Sequence, residues 1–274
     1  MDSLLATVVV VTYNSSKTIL ETLDSILNQT YSDIELIVSD DCSGDDTSTL
    51  VSNWLDSHSS RFIHSCLTHT EKNSGVTKNC NHGISLATGK YVQLIAGDDI
   101  MMPSLLEDKI KFAEDNNLNY VVSLTEPFGD NPDLVDKMKR YCDKGYAIIR
   151  KGYKAQLDRI IYSNYIVGPS GSFYLREFFN SFGGYDENYP MMEDYPFIYH
   201  YLMAGYHIKL LEKTLTKYRI TGSSLCASPK SAMWKSQSDF FFKERLWQLI
   251  KRGKWGKALY KTCTITIRRI MQVL

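Results

Sequence analysis

The chain has 274 residues and a mass of 31.4 kDa, room for one large domain or two small ones. Apolar residues make up 43% and charged residues 23%, which excludes a disordered, collagenous or coiled-coil chain. The 31 Lys and Arg balance 31 Asp and Glu, so the overall basic excess of a nucleic-acid binder is missing. The balance hides a gradient, with a net charge of −10 over residues 1–120, +2 over 121–240 and +8 over 241–274. No stretch approaches the ~18 consecutive apolar residues that cross a bilayer. The run at residues 4–11 has neither a basic lead nor a small-residue cleavage site, so no export is signalled. Cys42, Cys66, Cys80, Cys142, Cys226 and Cys263 form no CxxC pair. Such usage suits reduced thiols in a cytoplasmic chain better than a disulfide framework or a zinc site.

In chain order, the β-branched run at residues 8–11 reads as a strand buried on both faces, stopped by Thr12-Tyr13-Asn14-Ser15-Ser16. Ser15 or Ser16 is placed to cap a helix with Ile19, Leu20, Leu23, Ile26 and Leu27 on one face. Residues 28–32 end it and residues 34–38 form a second strand. A strand, an amphipathic helix and a strand within about 30 residues make a βαβ unit with parallel strands, hence an α/β fold. The unit recurs with a helix near 47–55, a strand near 62–67, a helix near 76–87 and a strand at 91–95. A helix led by Pro103 to about residue 115 and a strand near 120–124 continue the layer, while residues 126–160 carry no clear period. Further on, residues 172–175 read as a strand, Gly183-Gly184-Tyr185-Asp186 as a turn, 194–204 as a helix closed by Gly205, and 207–211 as a strand. From Ser231 onward, aromatic and basic residues follow helical patterns.

Ligands of open parallel sheets bind beyond the carboxyl ends of the strands. Thr12-Tyr13, Asp40-Asp41, residues 73–75 and Gly97-Asp98-Asp99 are therefore expected to converge on one crevice. Asp98 and Asp99 face different directions because strand side chains alternate. One can take a hard cation such as Mg²⁺ or Mn²⁺ beside a nucleotide diphosphate while the other takes a sugar hydroxyl; solvated acids at a turn are the plain alternative. Asp41 can accept from an N–H of a base, whereas Asp45 and Asp46 suit a helix N-cap. Glu193-Asp194 opens the later helix, where the dipole alone favours negative charge. The histidines show no ligand spacing, Gly75, Gly89 and Gly97 relieve crowding at turns, and neither a P-loop nor GxGxxG is present.

With these motifs in this order the chain resembles the inverting family 2 glycosyltransferases. VVVVTYNSSKTILETLDSILNQTYSDIELIVSDDCSGDDT is similar to the family's nucleotide-binding start, EKNSGVTKNCNHGISLATGKYVQLIAGDD to its central segment, and FGGYDENYPMMEDYPFIYHYLMAGY to its acceptor segment. The resemblance covers about residues 5–225. It implies the GT-A fold, a Rossmann-like mixed sheet flanked by helices. A glycosyltransferase domain would span residues 1–230, with a nucleotide-sugar half at 1–100 and an acceptor half at 101–230, and a helical extension would follow at 231–274. It also implies that Thr12 and Tyr13 line the uracil pocket, Asp41 binds the base, Lys78 lies near the nucleotide and Asp98 contacts the ribose. Asp99 would coordinate Mn²⁺ or Mg²⁺ on the diphosphate of a UDP-sugar, and Asp194 would be the base that deprotonates an acceptor hydroxyl.

The sequence departs from the common family pattern in two places. Its metal motif is Gly97-Asp98-Asp99 rather than two acids separated by a residue, which leaves Asp98 or Asp99 as the main ligand. Lys78 stands where Arg is frequent, a weaker bidentate partner. Residues 218–224 resemble a mobile loop that closes over the donor, without the His that sometimes reaches the metal from it. The implied activity is transfer of a hexose to a glycan acceptor on a lipid diphosphate, in surface polysaccharide synthesis of the O-antigen type. An inactive nucleotide-sugar scaffold, a nucleotidyltransferase and a phosphoacceptor signalling domain are the alternatives. The last two want a basic Gly-rich signature or acids after the first strand, where Thr12-Tyr13-Asn14 stands, and the scaffold would not need Asp99 and Asp194. Phe240, Phe241, Phe242, Trp247, Trp255 and Tyr260 lie among seven Lys and Arg at residues 240–261. That pattern points to peripheral attachment at an anionic membrane, on the inner face of the cell membrane, or else to aromatics packed on the sheet with solvated charges.

Overall fold

Four consecutive valines run through β1 (Ala6–Thr12), and their alternation divides the molecule: Val8 and Val10 enter one hydrophobic core and Val9 the other. The structure, a computed structural model, describes residues 4–163, 169–220 and 232–271. After β1 come α1 (Ile19–Leu27), β2 (Ile34–Asp40), α2 (Thr47–His58), β3 (His64–His69), α3 (Val76–Ser85), β4 (Tyr91–Ala96), β5 (Ile100–Met101) and α4 (Leu105–Asn116). Then follow β6 (Tyr120–Phe128), α5 (Pro132–Arg150), α6 (Tyr153–Tyr162), β7 (Ser172–Leu175), α7 (Arg176–Ser181), α8 (Asp194–Met203) and β8 (Lys209–Arg219). The chain continues with α9 (Ala232–Phe240), a π-helical turn (Phe241–Arg245), α10 (Leu246–Lys251) and α11 (Trp255–Met271).

The eight strands form one sheet in the order β3-β2-β1-β4-β7-β6-β8-β5. The first four are parallel, as the βαβ reading expects. β7 runs antiparallel to both β4 and β6, β8 is parallel to β6, and β5 is antiparallel to β8. The carboxyl ends of β1, β2 and β4 therefore share one edge. One core holds Ile19, Leu23 and Ile26 of α1 and the buried face of α4; the other holds α3, α5, α6, α8 and the C-terminal helices against the opposite face. In the second core Tyr120, Tyr174, Phe179, Tyr185 and Phe197 pack ring on ring at centroid distances of 4.9–6.1 Å.

Several elements differ from the sequence reading for identifiable reasons. Neither Ser15 nor Ser16 caps α1 with its side chain. The Thr18 and Ile19 N–H groups bond to the Ser15 carbonyl at 2.9 Å, while the Ser15 and Ser16 N–H groups are held by Oγ1 of Thr47, the first residue of α2, and by Oδ2 of Asp45 in the loop before it. Leu20 consequently turns to solvent. The unreadable stretch 126–160 contains α5 and α6, and α5 opens on Asn131, whose Oδ1 accepts from Asp133 N (3.1 Å) and Leu134 N (3.2 Å), with Pro132 in the first turn. β8 runs eight residues beyond the expected end at 211; shifts of register against β6 between Ser123 and Thr125 break its alternation.

On α4, Lys109 is fully buried, and its Nζ donates to Gln93 Oε1 (2.8 Å) and to the Gly171 carbonyl (2.9 Å). Burial pushes its amine down to about 7. The folded chain therefore binds fewer protons than the unfolded chain between about pH 7 and the ordinary lysine value, and stability rises with pH across that window. A urea midpoint higher at pH 9.5 than at pH 7.5, with the difference reduced in Lys109→Met, is the expected result. A wild-type midpoint that falls over this range would refute it.

Candidate active site at the carboxyl edge of the sheet

The four polar segments expected to converge do meet. The Asp41 N–H donates to the Thr12 carbonyl and the Gly97 N–H to the Val11 carbonyl, both at 2.9 Å, so the ends of β2 and β4 flank the end of β1. The Asp41 carboxylate is buried and accepts from Thr70 Oγ1, Ser74 N and Ser74 Oγ through Oδ1 and from Gly75 N through Oδ2, each at 2.8 Å. Gly75 has φ +88, and a Cβ there would stand 3.1 Å from the Pro190 carbonyl oxygen, so glycine permits both the left-handed turn and the close approach. Asp40 instead braces its own loop, accepting from Ser43 and from Ser48 Oγ (2.8 Å). Asp45 accepts from the Thr47 N–H (3.0 Å) at the start of α2. Tyr13 is 50% exposed at this edge.

Thr12 is buried, and its Oγ1 has no hydrogen-bond partner among the described residues. An unmet hydroxyl is costly in a core and useful in a binding site. Thr12→Val is expected to leave the melting temperature unchanged or higher, since it removes a buried hydroxyl that has no partner among the described residues. A melting temperature lowered by several degrees would show that the hydroxyl is held by a bond.

Asp98 and Asp99 take different environments, but they lie in the turn between β4 and β5, where the Asp99 N–H bonds to the Ala96 carbonyl (3.1 Å), and not on a strand whose side chains alternate. Asp98 is partly buried, whereas Asp99 is fully buried, with Oδ1 accepting from the Arg219 N–H (2.8 Å) and Oδ2 from the Ser170 hydroxyl. Burial raises both carboxyls above their ordinary values, and the charge of Asp98 raises Asp99 further. Arg219 also donates from Nε to the Asp98 carbonyl (2.8 Å), pairs with Glu21 and lies 4.4 Å from the Phe128 ring centroid. Thr22 Oγ1 donates to the Asp99 carbonyl at 2.8 Å. Of the loop-like segment 218–224, residues 221–224 lie outside the described residues.

The donor set suits a hard divalent cation. The Asp98 and Asp99 carboxyl oxygens have further lone pairs, and a bound cation would favour the charged forms that burial and mutual repulsion disfavour. Among the described residues no group of three or more His, Cys, Asp or Glu is placed to hold a metal. Diphosphate oxygens and water would have to complete the coordination, as is usual for Mg²⁺ and Mn²⁺ beside nucleotides.

The segment that precedes Asp194 is tied to α3. Thr77 N and Oγ1 bond to the Pro190 and Tyr189 carbonyls (3.3 and 2.8 Å), and Asn81 holds the Tyr185 N–H and carbonyl (3.1 and 2.9 Å). The segment leading into α8 is thus fixed to the helix whose cap Asp41 holds. Buried Cys80 lies within electrostatic reach of Glu193, Asp194 and Asp41; burial and these charges push its thiol well above the usual range. Burial, then the charge of Asp194, pushes Glu193 up to about 8, and burial pushes Asp194 up to about 6. Burial and the charge of each on the other thus disfavour both carboxyls being ionised together. Tyr195 anchors the helix start by donating from its hydroxyl to the Ile160 carbonyl (2.9 Å). Lys78 lies on the exposed side of α3, its Nζ 4.0 Å from Glu187 Oε2.

Thr70, Ser170 and the side chain of Arg219 were not singled out by sequence reasoning. Ser170 is 71 residues from its partner Asp99 and Arg219 is 120, separations over which no local pattern speaks.

A parallel half-sheet with acids gathered at its carboxyl edge, joined through an antiparallel strand to a mixed half, is the GT-A architecture of glycosyltransferases. The model of glycosyl transferase family 2 matches residues 7–183, and the chain belongs to that family. Asp194 lies beyond the matched span. The UDP-Glc:alpha-D-GlcNAc-diphosphoundecaprenol beta-1,3-glucosyltransferase WfaP of Escherichia coli is 29% identical over 150 residues, which are 51% of this chain and 57% of WfaP. S. aureus TarS 1-349 in complex with UDP-GlcNAc superposes with a TM-score of 0.62 at 21% identity, over 85% of this chain and 64% of that one. The mannosyltransferase PcManGT from Pyrobaculum calidifontis, in complex with GDP-Man and Mn²⁺, gives 0.61 at 20% identity, over 90% and 64%. The chain thus spans less than two thirds of each of these relatives, and the two structures speak for the fold.

Proposed function

We propose that this protein is a metal-dependent inverting glycosyltransferase. It would move a hexose from a UDP-sugar to a hydroxyl of a lipid-diphosphate-linked glycan during surface polysaccharide synthesis. The observation that carries the reading is the meeting of Thr12, Asp41, Asp98 and Asp99 at one sheet edge, with the segment before Asp194 tied to α3, whose first turn borders that edge. WfaP, named for a diphosphoundecaprenol-linked acceptor, and TarS, solved with UDP-GlcNAc, support the acceptor and donor classes.

In this reading residues 1–100 hold the donor and residues 101–230 the acceptor. Thr12 and Tyr13 line the base pocket, Asp41 accepts from the uracil N–H once its loop bonds are exchanged, Asp98 takes the ribose, and Lys78 lies near the nucleotide. Asp99, with Asp98 beside it, would hold Mn²⁺ or Mg²⁺, which when bound offsets the charge developing on the leaving diphosphate. The Arg219 cation, fixed against the Asp98 carbonyl, adds positive charge at the same place. Asp194 takes the acceptor hydroxyl proton as that oxygen attacks the anomeric carbon from the face opposite UDP, so the configuration inverts in a single displacement.

The C-terminal segment 231–274 supports peripheral attachment to an anionic membrane through part of its aromatic set. Trp247, Trp255 and Tyr260 are 57%, 64% and 62% exposed beside basic residues, whereas Phe240 and Phe241 are core residues unavailable to a surface. No helix among the described residues is long and apolar enough to cross a membrane.

Calorimetry with UDP, with and without Mn²⁺, on wild type and Asp99→Asn tests the donor site. UDP binding that Mn²⁺ tightens by about tenfold or more in wild type alone is expected, the loss of one charged ligand being worth at least that much. Absence of UDP binding under either condition overturns the uridine assignment. Binding of UDP-sugars with no transfer to any lipid-diphosphate acceptor would favour an inactive scaffold.

A further inference from the structure

The C-terminal helices enclose a second polar site. Between α9, the π-helical turn and α11 lies a cavity of ≈ 240 Å³ whose lining includes Arg245, Lys261, Arg268, Gln237 and Trp234. Arg245 is 5% exposed. Its Nε donates to the Ile161 carbonyl at 2.7 Å, and its guanidinium carbon lies 5.1 Å from the Tyr195 ring centroid and 5.6 Å from that of Phe241. Its Nη2 is buried and has no hydrogen-bond partner. Lys261 is partly buried, with Nζ 5.3 Å from the Tyr162 ring centroid, and Arg268 covers the Trp234 ring at 5.2 Å.

Among the described residues no carboxylate stands within ion-pair distance of Arg245, Lys261 or Arg268. In the same segment Lys254 pairs with Asp158 at 2.8 Å and Arg269 with Asp239 at 2.5 Å. Three cations thus share a cavity without a counter-charge among the described residues, although acids balance their neighbours. A buried guanidinium with an unmet N–H costs free energy unless something accepts from it. Burial, followed by the charges of Arg245 and Arg159, lowers the Lys261 amine, the response of a site crowded with like charge. The π-helical turn is itself a departure from regular helix of the kind that often re-aims a functional side chain.

We propose that this cavity binds a phosphate-class dianion, a phosphomonoester or a diphosphate, with the Arg245 Nη2 edge, Lys261 and Arg268 as its donors. The planar guanidinium fork matches phosphate oxygens, and two further cations suit the second charge. The site stands apart from the donor edge but shares Tyr195 with the helix that begins at Asp194. The anion could be borne by a membrane headgroup or be free in solution.

The test titrates inorganic pyrophosphate into the full chain while following the fluorescence of Trp234. Wild type is expected to give a saturable change that is absent in Trp234→Phe and at least tenfold weaker in Lys261→Gln and in Arg268→Gln. These two substitutions sit at partly buried and exposed positions and spare the Arg245 to Ile161 bond, so folding should survive them. The circular dichroism melt of each variant checks this. UDP affinity should be unchanged in both, which separates this cavity from pyrophosphate bound at the donor edge. No saturable change in wild type overturns the proposal, as do folded Lys261→Gln and Arg268→Gln chains that bind as tightly as wild type. Sedimentation with phosphatidylglycerol and with phosphatidylcholine vesicles then identifies the source. Selective loss of phosphatidylglycerol binding in the two variants assigns the anion to a headgroup, and pyrophosphate binding with unaltered sedimentation assigns it to a soluble phosphate.

Discussion

Asp194→Asn is expected to lower turnover by about 10²–10⁴-fold, the range typical of a lost general base, while UDP affinity stays within about twofold of wild type. The amide preserves the shape at the start of α8 and removes only the basic oxygen. Burial raises Asp194 to about 6 and Glu193 to about 8, so the two carboxyls titrate as a coupled pair, and in the proposed reading Asp194 takes the acceptor proton. The acid limb of kcat/KM should therefore fall below about pH 6, well above the ordinary range of an aspartate, and Asp194→Asn should abolish that limb along with activity. Retention of more than about a tenth of wild-type turnover would end the base assignment, and so would an acid limb centred near pH 4.

The second large effect is expected at Asp41. Its carboxylate gathers the Thr70 and Ser74 hydroxyls and the Ser74 and Gly75 N–H groups, bonds worth about 1.5–3 kcal/mol each when charge-assisted and lost together in Asp41→Ala. Shared stabilisation makes the total less than the sum, so a loss of about 2–4 kcal/mol is expected, or about 5–15 °C in melting temperature for a chain of this size. UDP affinity should fall by more than about tenfold in the same variant, since the base contact and the loop that frames it go together. A melting temperature within 2 °C of wild type would show that the loop is held by other means. A destabilised variant with intact UDP affinity would leave Asp41 a structural residue only.

Part of this architecture was legible because burial and periodicity coincide. β1, β2 and β4 are buried on both faces along nearly their whole length, and Ile19, Leu23 and Ile26 repeat at helical spacing on α1. The Asp98-Asp99 pair and the Asp41 loop were legible as polar stops after apolar runs, since parallel strands must end at one edge. Other features were hidden by chemistry that mimics a surface. Lys109 is a charged residue in the buried stripe of α4, between Leu105-Leu106 and Ile110-Ala113, and reads as a solvent-facing lysine until its partners Gln93 and Gly171 are seen. Phe240 and Phe241 look like interfacial aromatics among lysines, yet they close the core around Tyr195 and Tyr199. The cap on Asn131 was present in the sequence as Asn131-Pro132-Asp133, a start signal that the mixed polarity of α5 obscured.

The alternation of valines along β1 has an evolutionary consequence. Val8 and Val10 answer to the helices on one side of the sheet and Val9 to those on the other, so the central strand acts as a bulkhead between two packing problems. Substitutions in one core are expected to add to those in the other with little cross-talk. A lineage can then remodel the compartment containing α5, α6, α8 and the C-terminal helices without disturbing the compartment of α1 and α4 on the opposite side of the sheet.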